Sequence, residues 1–178
     1  IMDIDDVHGA AFLPTDGQAN PTDISQALAK GARNKGANII EETRALKVIL
    51  NEGVITGVET DKGIIECEKV ICCCGQWSRQ FAETVGVNVP LVSFQHQYLV
   101  TEPMEGVESN LPTLRDPDRL IYFKEEVGGL VMGGYEPNPI SWAEKSVPED
   151  FHFSLLESDY DHFEEIMTNA LGRVPLLE

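Results

Sequence analysis

His96 is the side chain whose setting is best suited to proton chemistry. It stands in the alternating run Phe94-Gln95-His96-Gln97-Tyr98-Leu99-Val100-Thr101-Glu102. On a strand, Phe94, His96, Tyr98 and Val100 share one face, and Gln95, Gln97, Leu99 and Thr101 share the other. The aromatic-bearing face is expected to point inward. An imidazole there is either a satisfied core histidine or a group able to exchange a proton near pH 7. The other histidines carry less: His152 and His162 belong with an acidic terminal helix, and His8 falls in a turn.

Cys67, Cys72, Cys73 and Cys74 are the next chemically capable cluster. They lack the C-x-x-C spacing of a zinc knuckle, and neighbours on a strand point to opposite faces, so no metal site is expected. Their apolar setting predicts a buried strand with free thiols and no disulfide, as in a reducing compartment. The pairs Gly128-Gly129 and Gly133-Gly134 flank the apolar run Leu130-Val131-Met132. They mark either a hairpin turn and a strand end, or bare backbone that a ligand approaches closely. No GxSxG, HExxH, P-loop or GxGxxG motif occurs.

These residues need elements to hold them. A short strand is predicted over 10–13. Pro21-Thr22-Asp23 opens a helix whose apolar positions are Ile24, Ala27, Leu28 and Ala32, with Gly36 ending it. A short strand follows over 37–40. Residues 44–50, 54–60 and 63–68 read as a β-meander with turns at Asn51-Glu52-Gly53 and Asp61-Lys62-Gly63. Residues 69–74 read as a strand buried on both faces, and 77–85 as a helix. Further strands are predicted over 92–102, 119–124 and 129–135. An acidic amphipathic helix over 157–171 has Tyr160, Phe163, Ile166, Met167 and Ala170 on one face. The order defines an α+β chain: part of an α/β domain carrying a β-meander, plus an antiparallel sheet. Two short parallel strands cannot form a stable sheet alone, and the chain opens at Ile1 and stops just after a helix, so it is expected to be a piece of a longer protein.

Asp and Glu number 30 against 13 Lys and Arg, a net charge of −17 over 178 residues. That balance excludes nucleic acid as an expected partner, since phosphate binding needs cationic side chains. It argues equally against an anionic membrane surface. No apolar run approaches the roughly 20 residues of a membrane span, and no signal peptide is evident.

Several stretches, in order and spanning nearly the whole chain, resemble one family. They are 13–21 (Leu13-Pro14-Thr15-Asp16-Gly17-Gln18-Ala19-Asn20-Pro21), Gln26-Ala27-Leu28-Ala29, 56–63, Cys73-Cys74-Gly75-Gln76-Trp77, 96–102, Leu114-Arg115-Asp116-Pro117-Asp118 and 128–136. The pattern is similar to that of the sarcosine and dimethylglycine dehydrogenases, FAD-dependent oxidoreductases with a D-amino-acid-oxidase-like fold. The regulatory subunit of pyruvate dehydrogenase phosphatase, a non-enzymatic cousin, shares many of the same pieces.

The resemblance implies a central fragment. Residues 1–20 would belong to the substrate domain, 21–88 to the returning part of a discontinuous FAD-binding domain, and 89–178 to the substrate-binding domain. It implies FAD as cofactor, with tetrahydrofolate conceivable in the full-length protein, and a small N-methyl amino acid as partner. The setting would be bacterial cytoplasm or mitochondrial matrix. Ala45, Leu46, Cys73, Cys74, Gly75 and Trp77 would meet FAD. Lys124 stands where relatives often have Arg, which weakens any carboxylate contact there. Residues 1–178 alone are expected to hold FAD poorly.

By the same resemblance, His96 and Tyr122 would be the catalytic pair. Tyr122 would hydrogen-bond the substrate carboxylate or polarise the amine, and His96 would influence amine protonation. The two strands are expected to place both side chains on one cavity, with Tyr135 a lesser candidate. Alternation puts Leu120, Tyr122 and Lys124 on one face and Ile121 and Phe123 on the other. The alternative is that the polar-bearing face meets solvent, with Ile121 and Phe123 as core. A non-catalytic regulatory protein on the same scaffold is the competing reading.

Overall fold

The computed structural model describes residues 1–178. Its helices are α1 (Pro21–Asn34), α2 (Ser78–Glu83) and α3 (Tyr160–Arg173). Its strands are β1 (Ala45–Asn51), β2 (Val54–Thr60), β3 (Gly63–Glu66), β4 (Ser93–Phe94), β5 (Tyr98–Val100), β6 (Leu114–Asp116), β7 (Ile121–Glu126), β8 (Gly129–Gly134) and β9 (Ser141–Trp142). Every strand pair is antiparallel, so the fold is α+β. No helix is long and apolar enough to cross a membrane. The chain divides into two units. Unit 1 holds Ile1–Pro21, Gln95–Pro139 and Leu155–Glu178, and unit 2 holds Thr22–Phe94 and Ile140–Ser154.

Unit 1 is built on the four-stranded sheet β5-β8-β7-β6. Val127 and Gly128 both have positive φ and make the two-residue turn between β7 and β8, the hairpin geometry that matches strand twist. One cross-strand row runs Leu114–Phe123–Met132–Leu99. Its face carries α3, whose Phe163, Ile166 and Ala170 pack with Ile121, Phe123, Leu130 and Met132 into the core. Helix α3 starts at Tyr160, three residues later than the periodicity suggested, because the Asp159 carboxylate caps it by accepting the His162 N–H at 3.0 Å. Tyr160 consequently lies outside the buried stripe. At the other end of α3, Arg173 is 4% exposed. Its guanidinium donates to Asp116 and Asp6 at 2.7 Å each and to the Asp3 carbonyl, tying the N-terminal segment to the sheet.

Unit 2 contains the meander β1-β2-β3 in the predicted order and with the predicted turns. A 3-10 turn, Gly75–Trp77, leads into α2, which rests on β1 near buried Val48 and Ala82. Residues 140–154, grouped from sequence with 89–178, cluster with unit 2. Strand β9 pairs with β4, and the Gln80 amide donates to the Val147 carbonyl at 3.1 Å while accepting its N–H at 2.6 Å.

Four sequence expectations need correction. The short strands over 10–13 and 37–40 are absent, and both segments are exposed without a ladder. Residues 69–74 form no strand either: Ile71 is 87% exposed, Cys72 and Cys73 are exposed, and Cys67 and Cys74 are half-buried. Apolar composition suits a doubly covered strand, but a strand exists through its partners, and none pairs with this segment in residues 1–178. The run 92–102 is broken into β4 and β5, which pair with different strands in different units. Finally, the face bearing Phe94, His96, Tyr98 and Val100 is the open one, whereas Leu99 meets the core. The register explains this: Leu99 opposes Met132 on the helix-covered face, so its neighbours must point away.

Candidate functional site

The row next to the core row in unit 1 is Arg115–Tyr122–Gly133–Tyr98, read across β6, β7, β8 and β5. Pleating sends it to the sheet face opposite α3. Gly133 matters here. A Cβ at that position would overlap the Tyr122 hydroxyl and ring, so the bare backbone lets the phenol lie across the neighbouring strand. Gly134 is similarly filled by the Ile166 side chain. The close approach suggested for this glycine pair is thus made by the protein's own side chains.

Three rings gather on this face. His96 stacks against Tyr122 with centroids 6.4 Å apart and planes 19° apart. Tyr135 meets Tyr122 edge-on at 5.8 Å. The structure therefore brings His96 and Tyr122 together, on an open face rather than in an enclosed cavity. Ile121 and Phe123 are core, as the alternative reading of β7 had it, yet the polar-bearing face still unites the pair.

The His96 Nδ1 lies 3.1 Å from Glu136 Oε2. The Glu136 side chain is 6% exposed, whereas that of His96 is 47% exposed. A buried carboxylate thus fixes one ring nitrogen and orients the imidazole. Glu136 closes the 128–136 stretch with no local sign of a role, because its proximity to His96, 40 residues away, depends on tertiary structure. Burial raises the Tyr122 phenol above its ordinary value; Tyr135, Glu136 and Tyr98 push the same way, with Arg115 opposing. At neutral pH Tyr122 is therefore a protonated hydrogen-bond donor. Lys124 shares the face but pairs with Glu126 on its own strand.

A second feature lies within unit 2. A cavity of about 590 Å³ is lined by Ala45, Leu46, Cys74 and Trp77, four of the six side chains expected near the cofactor. Cys73 and Gly75 flank Cys74 without forming the wall. Phe81, Phe151 and His152 add aromatic surface, and Arg44 reaches Glu149 at 3.1 Å at the same cavity. Phe81 and Phe151 carry no local signal of this role, since some 70 residues of chain separate them; His152, grouped from sequence with the terminal helix, instead precedes α3 in a loop of unit 2. Burial raises the Cys74 thiol, while a hydrogen bond from the Cys74 backbone lowers that of Cys72. All four cysteines are free thiols.

The family model described as FAD dependent oxidoreductase (DAO) matches residues 2–178, and the chain belongs to that family. Over its whole length it is 38% identical to mitochondrial sarcosine dehydrogenase of Homo sapiens, of which it covers 20%. It is 37% identical to the mitochondrial pyruvate dehydrogenase phosphatase regulatory subunit of Mus musculus, again over its whole length and 20% of that protein. The L-proline dehydrogenase of P. horikoshii shares the fold: TM-score 0.75 at 24% identity, over 92% of this chain and 41% of that one. The chain spans about a fifth of the length of these two curated relatives.

Proposed function

We propose that the chain is part of an FAD-dependent oxidoreductase that oxidises small N-methyl amino acids of the sarcosine and dimethylglycine type. The observation that carries this reading is the His96–Tyr122 stack beside the buried Glu136 carboxylate. Support from similarity comes from the 38% identity to sarcosine dehydrogenase across the whole chain.

The unit 2 cavity fits a portion of the cofactor. Its volume, about 590 Å³, lies in the usual range for small-molecule sites. Trp77, Phe81 and Phe151 offer flat apolar walls, and the small Ala45 and Cys74 admit a planar group between them. Ala45, Leu46, Cys74 and Trp77 would hold FAD there, with Cys73 and Gly75 flanking the wall. When bound, FAD supplies the two-electron oxidant that an amine C–H bond requires.

The chain's own residues then have two tasks. An amine is oxidised as its free base, so the site must favour the unprotonated nitrogen. His96, fixed through Nδ1 by Glu136, keeps its other ring nitrogen for exchanging that proton. Tyr122 stays protonated and donates a hydrogen bond to a substrate acceptor. A soluble setting in a bacterial cytoplasm or mitochondrial matrix fits both the small polar substrate and the mitochondrial relatives.

The test uses the full-length protein. Anaerobic addition of sarcosine or dimethylglycine should bleach the bound flavin within seconds. Intact flavin that neither substrate reduces would contradict this function and favour the non-catalytic, regulatory alternative, to which the similarity at 37% identity also extends.

A further inference from the structure

We infer that Cys72 and Cys74 form a peroxide-sensitive thiol pair at the edge of the unit 2 cavity, and that their disulfide blocks uptake of the cofactor there. This rests on the proposal that the cavity receives part of FAD. Cys74 belongs to the cavity wall, together with Trp77 three residues later. Cys72 is exposed and Cys74 half-buried. One sulfur of the pair is thus open to a small oxidant, and the other stands where the cofactor would lie.

The local backbone brings the two sulfurs together. Cys74 has φ −86° and ψ 14°, and Gly75 follows with φ +53°, so the chain bends ahead of the 3-10 turn Gly75–Trp77. The bend aims the Cys74 N–H at the Cys72 sulfur and sets the two thiols within hydrogen-bonding reach of each other. The Cys72 Sγ also lies 4.0 Å from the Ser78 carbonyl oxygen. Directly adjacent cysteines have Cα atoms about 3.8 Å apart, short of the roughly 4.4–6.8 Å that a disulfide spans. Cys73 is therefore a poor partner for either neighbour, whereas a spacing of two residues across a bend suits a bridge.

The surroundings also divide the roles. The Cys74 N–H stabilises the Cys72 thiolate and lowers that thiol, while burial, then the hydrogen bond and charge of Cys72, raise the Cys74 thiol. The thiolate is the nucleophile, so Cys72 reacts first. Its sulfur attacks one oxygen of hydrogen peroxide: an S–O bond forms, the O–O bond breaks, and the departing hydroxide takes up a proton as water. Cys72 is then a neutral sulfenic acid, and its charge no longer holds the Cys74 proton in place. The Cys74 thiolate attacks the Cys72 sulfur, the S–S bond forms, the S–O bond breaks, and a second water leaves. In all, two thiols give up two electrons and two protons, and the peroxide accepts them. The bridge draws the Cys74 side chain off the wall beside Trp77. A group already lying in the cavity covers Cys74 and keeps it from Cys72.

The experiment uses full-length protein from a riboflavin-starved host, divided into FAD-free and FAD-loaded samples. Each is reduced, desalted and exposed to hydrogen peroxide. Disulfides are mapped by mass spectrometry, and FAD uptake is followed by tryptophan fluorescence. The FAD-free sample should form the Cys72–Cys74 disulfide and lose uptake, with dithiothreitol restoring it. The FAD-loaded sample should keep both thiols. Cys72→Ser should take up FAD before and after peroxide, and Cys74→Ser should stop at a Cys72 sulfenic acid that dimedone traps. Absence of the Cys72–Cys74 disulfide from the FAD-free sample would overturn the pair. Equal bridging in the FAD-loaded sample, or bridged protein that takes up FAD as well as reduced protein, would overturn the block. In each of these cases uptake by the reduced protein leaves the cavity reading standing. Reduced protein that takes up no FAD would overturn that reading and this inference together.

Discussion

The two units treat similar apolar sequence differently. Unit 1 buries Ile121, Met132 and Ile166 almost completely and surrounds them with Phe123, Leu130, Phe163, Ala170 and Val174. Among its hydrophobic side chains, unit 2 buries Val48, Ala82 and Val147, leaving Ile24, Leu28, Ile40, Ile64 and Ile71 open. Helix α1 is amphipathic, yet it buries no residue at all. Amphipathic patterning shows that a face is suited to burial, and only tertiary contacts show whether it is buried. The proposed substrate face accordingly rests on a sheet backed by a packed core. The proposed cofactor cavity is lined by a small meander, a short helix and two loops.

The contrast can be broken first at the ion network. Arg173→Met leaves Asp116, whose side chain is 11% exposed, without its partner. Breaking a buried pair from one side costs about 3–5 kcal/mol, and urea unfolding followed by circular dichroism should show a loss of that order. Next comes the core. Ile166→Ala should cost about 2–5 kcal/mol through lost burial and the cavity left behind. Leu28→Ala on α1, where the side chain is 69% exposed, should stay within about 0.5 kcal/mol. Equal effects at the two positions would remove the distinction between the units.

Gly133→Ala is a sharper test. The added methyl would overlap Tyr122, so the ring must move at a cost of about 1–3 kcal/mol. Near-ultraviolet dichroism from the tyrosines should change along with the unfolding midpoint. The effect of acid is the mildest. Hydrogen bonds from Arg173 and then Arg119 hold the Asp6 carboxyl down at about 2, from 3.8. A depressed carboxyl contributes stability above its unfolded value and loses it as pH falls through the folded one. The stability difference between wild type and Asp6→Asn should therefore be full above pH 4 and fade as pH falls toward 2.

Features set by adjacent residues were legible in the sequence. The meander turns follow from Gly, Asn and Asp placed between alternating runs, the α1 span from its Pro21-Thr22-Asp23 opening and helical spacing, and the β7–β8 hairpin from Gly128. Features set by partners were not. The apolar run 69–74 has strand composition but no partner, and 92–102 alternates smoothly although its two halves pair with different strands. The open face of His96 was misassigned because Leu99, a single aliphatic among polar neighbours, gave no local sign that it meets Met132. His96 stood out through its alternating strand and was paired with Tyr122 by the family resemblance, and their 6.4 Å approach required the fold. Arg115 and Glu136 stood in recognised stretches without roles, since only the cross-strand register and the return of Glu136 to His96 bring them to the same face.

The central claim is that the His96–Tyr122 face is where the amine is held for oxidation. Rapid-mixing flavin reduction by sarcosine in full-length Tyr122→Phe tests it most directly. Removing a positioned hydrogen-bond donor of this kind costs about 10²-fold in rate, so reduction should slow by that factor with flavin content unchanged. Reduction at the wild-type rate would contradict the account and leave Tyr122 as a half-buried strand tyrosine packed over Gly133.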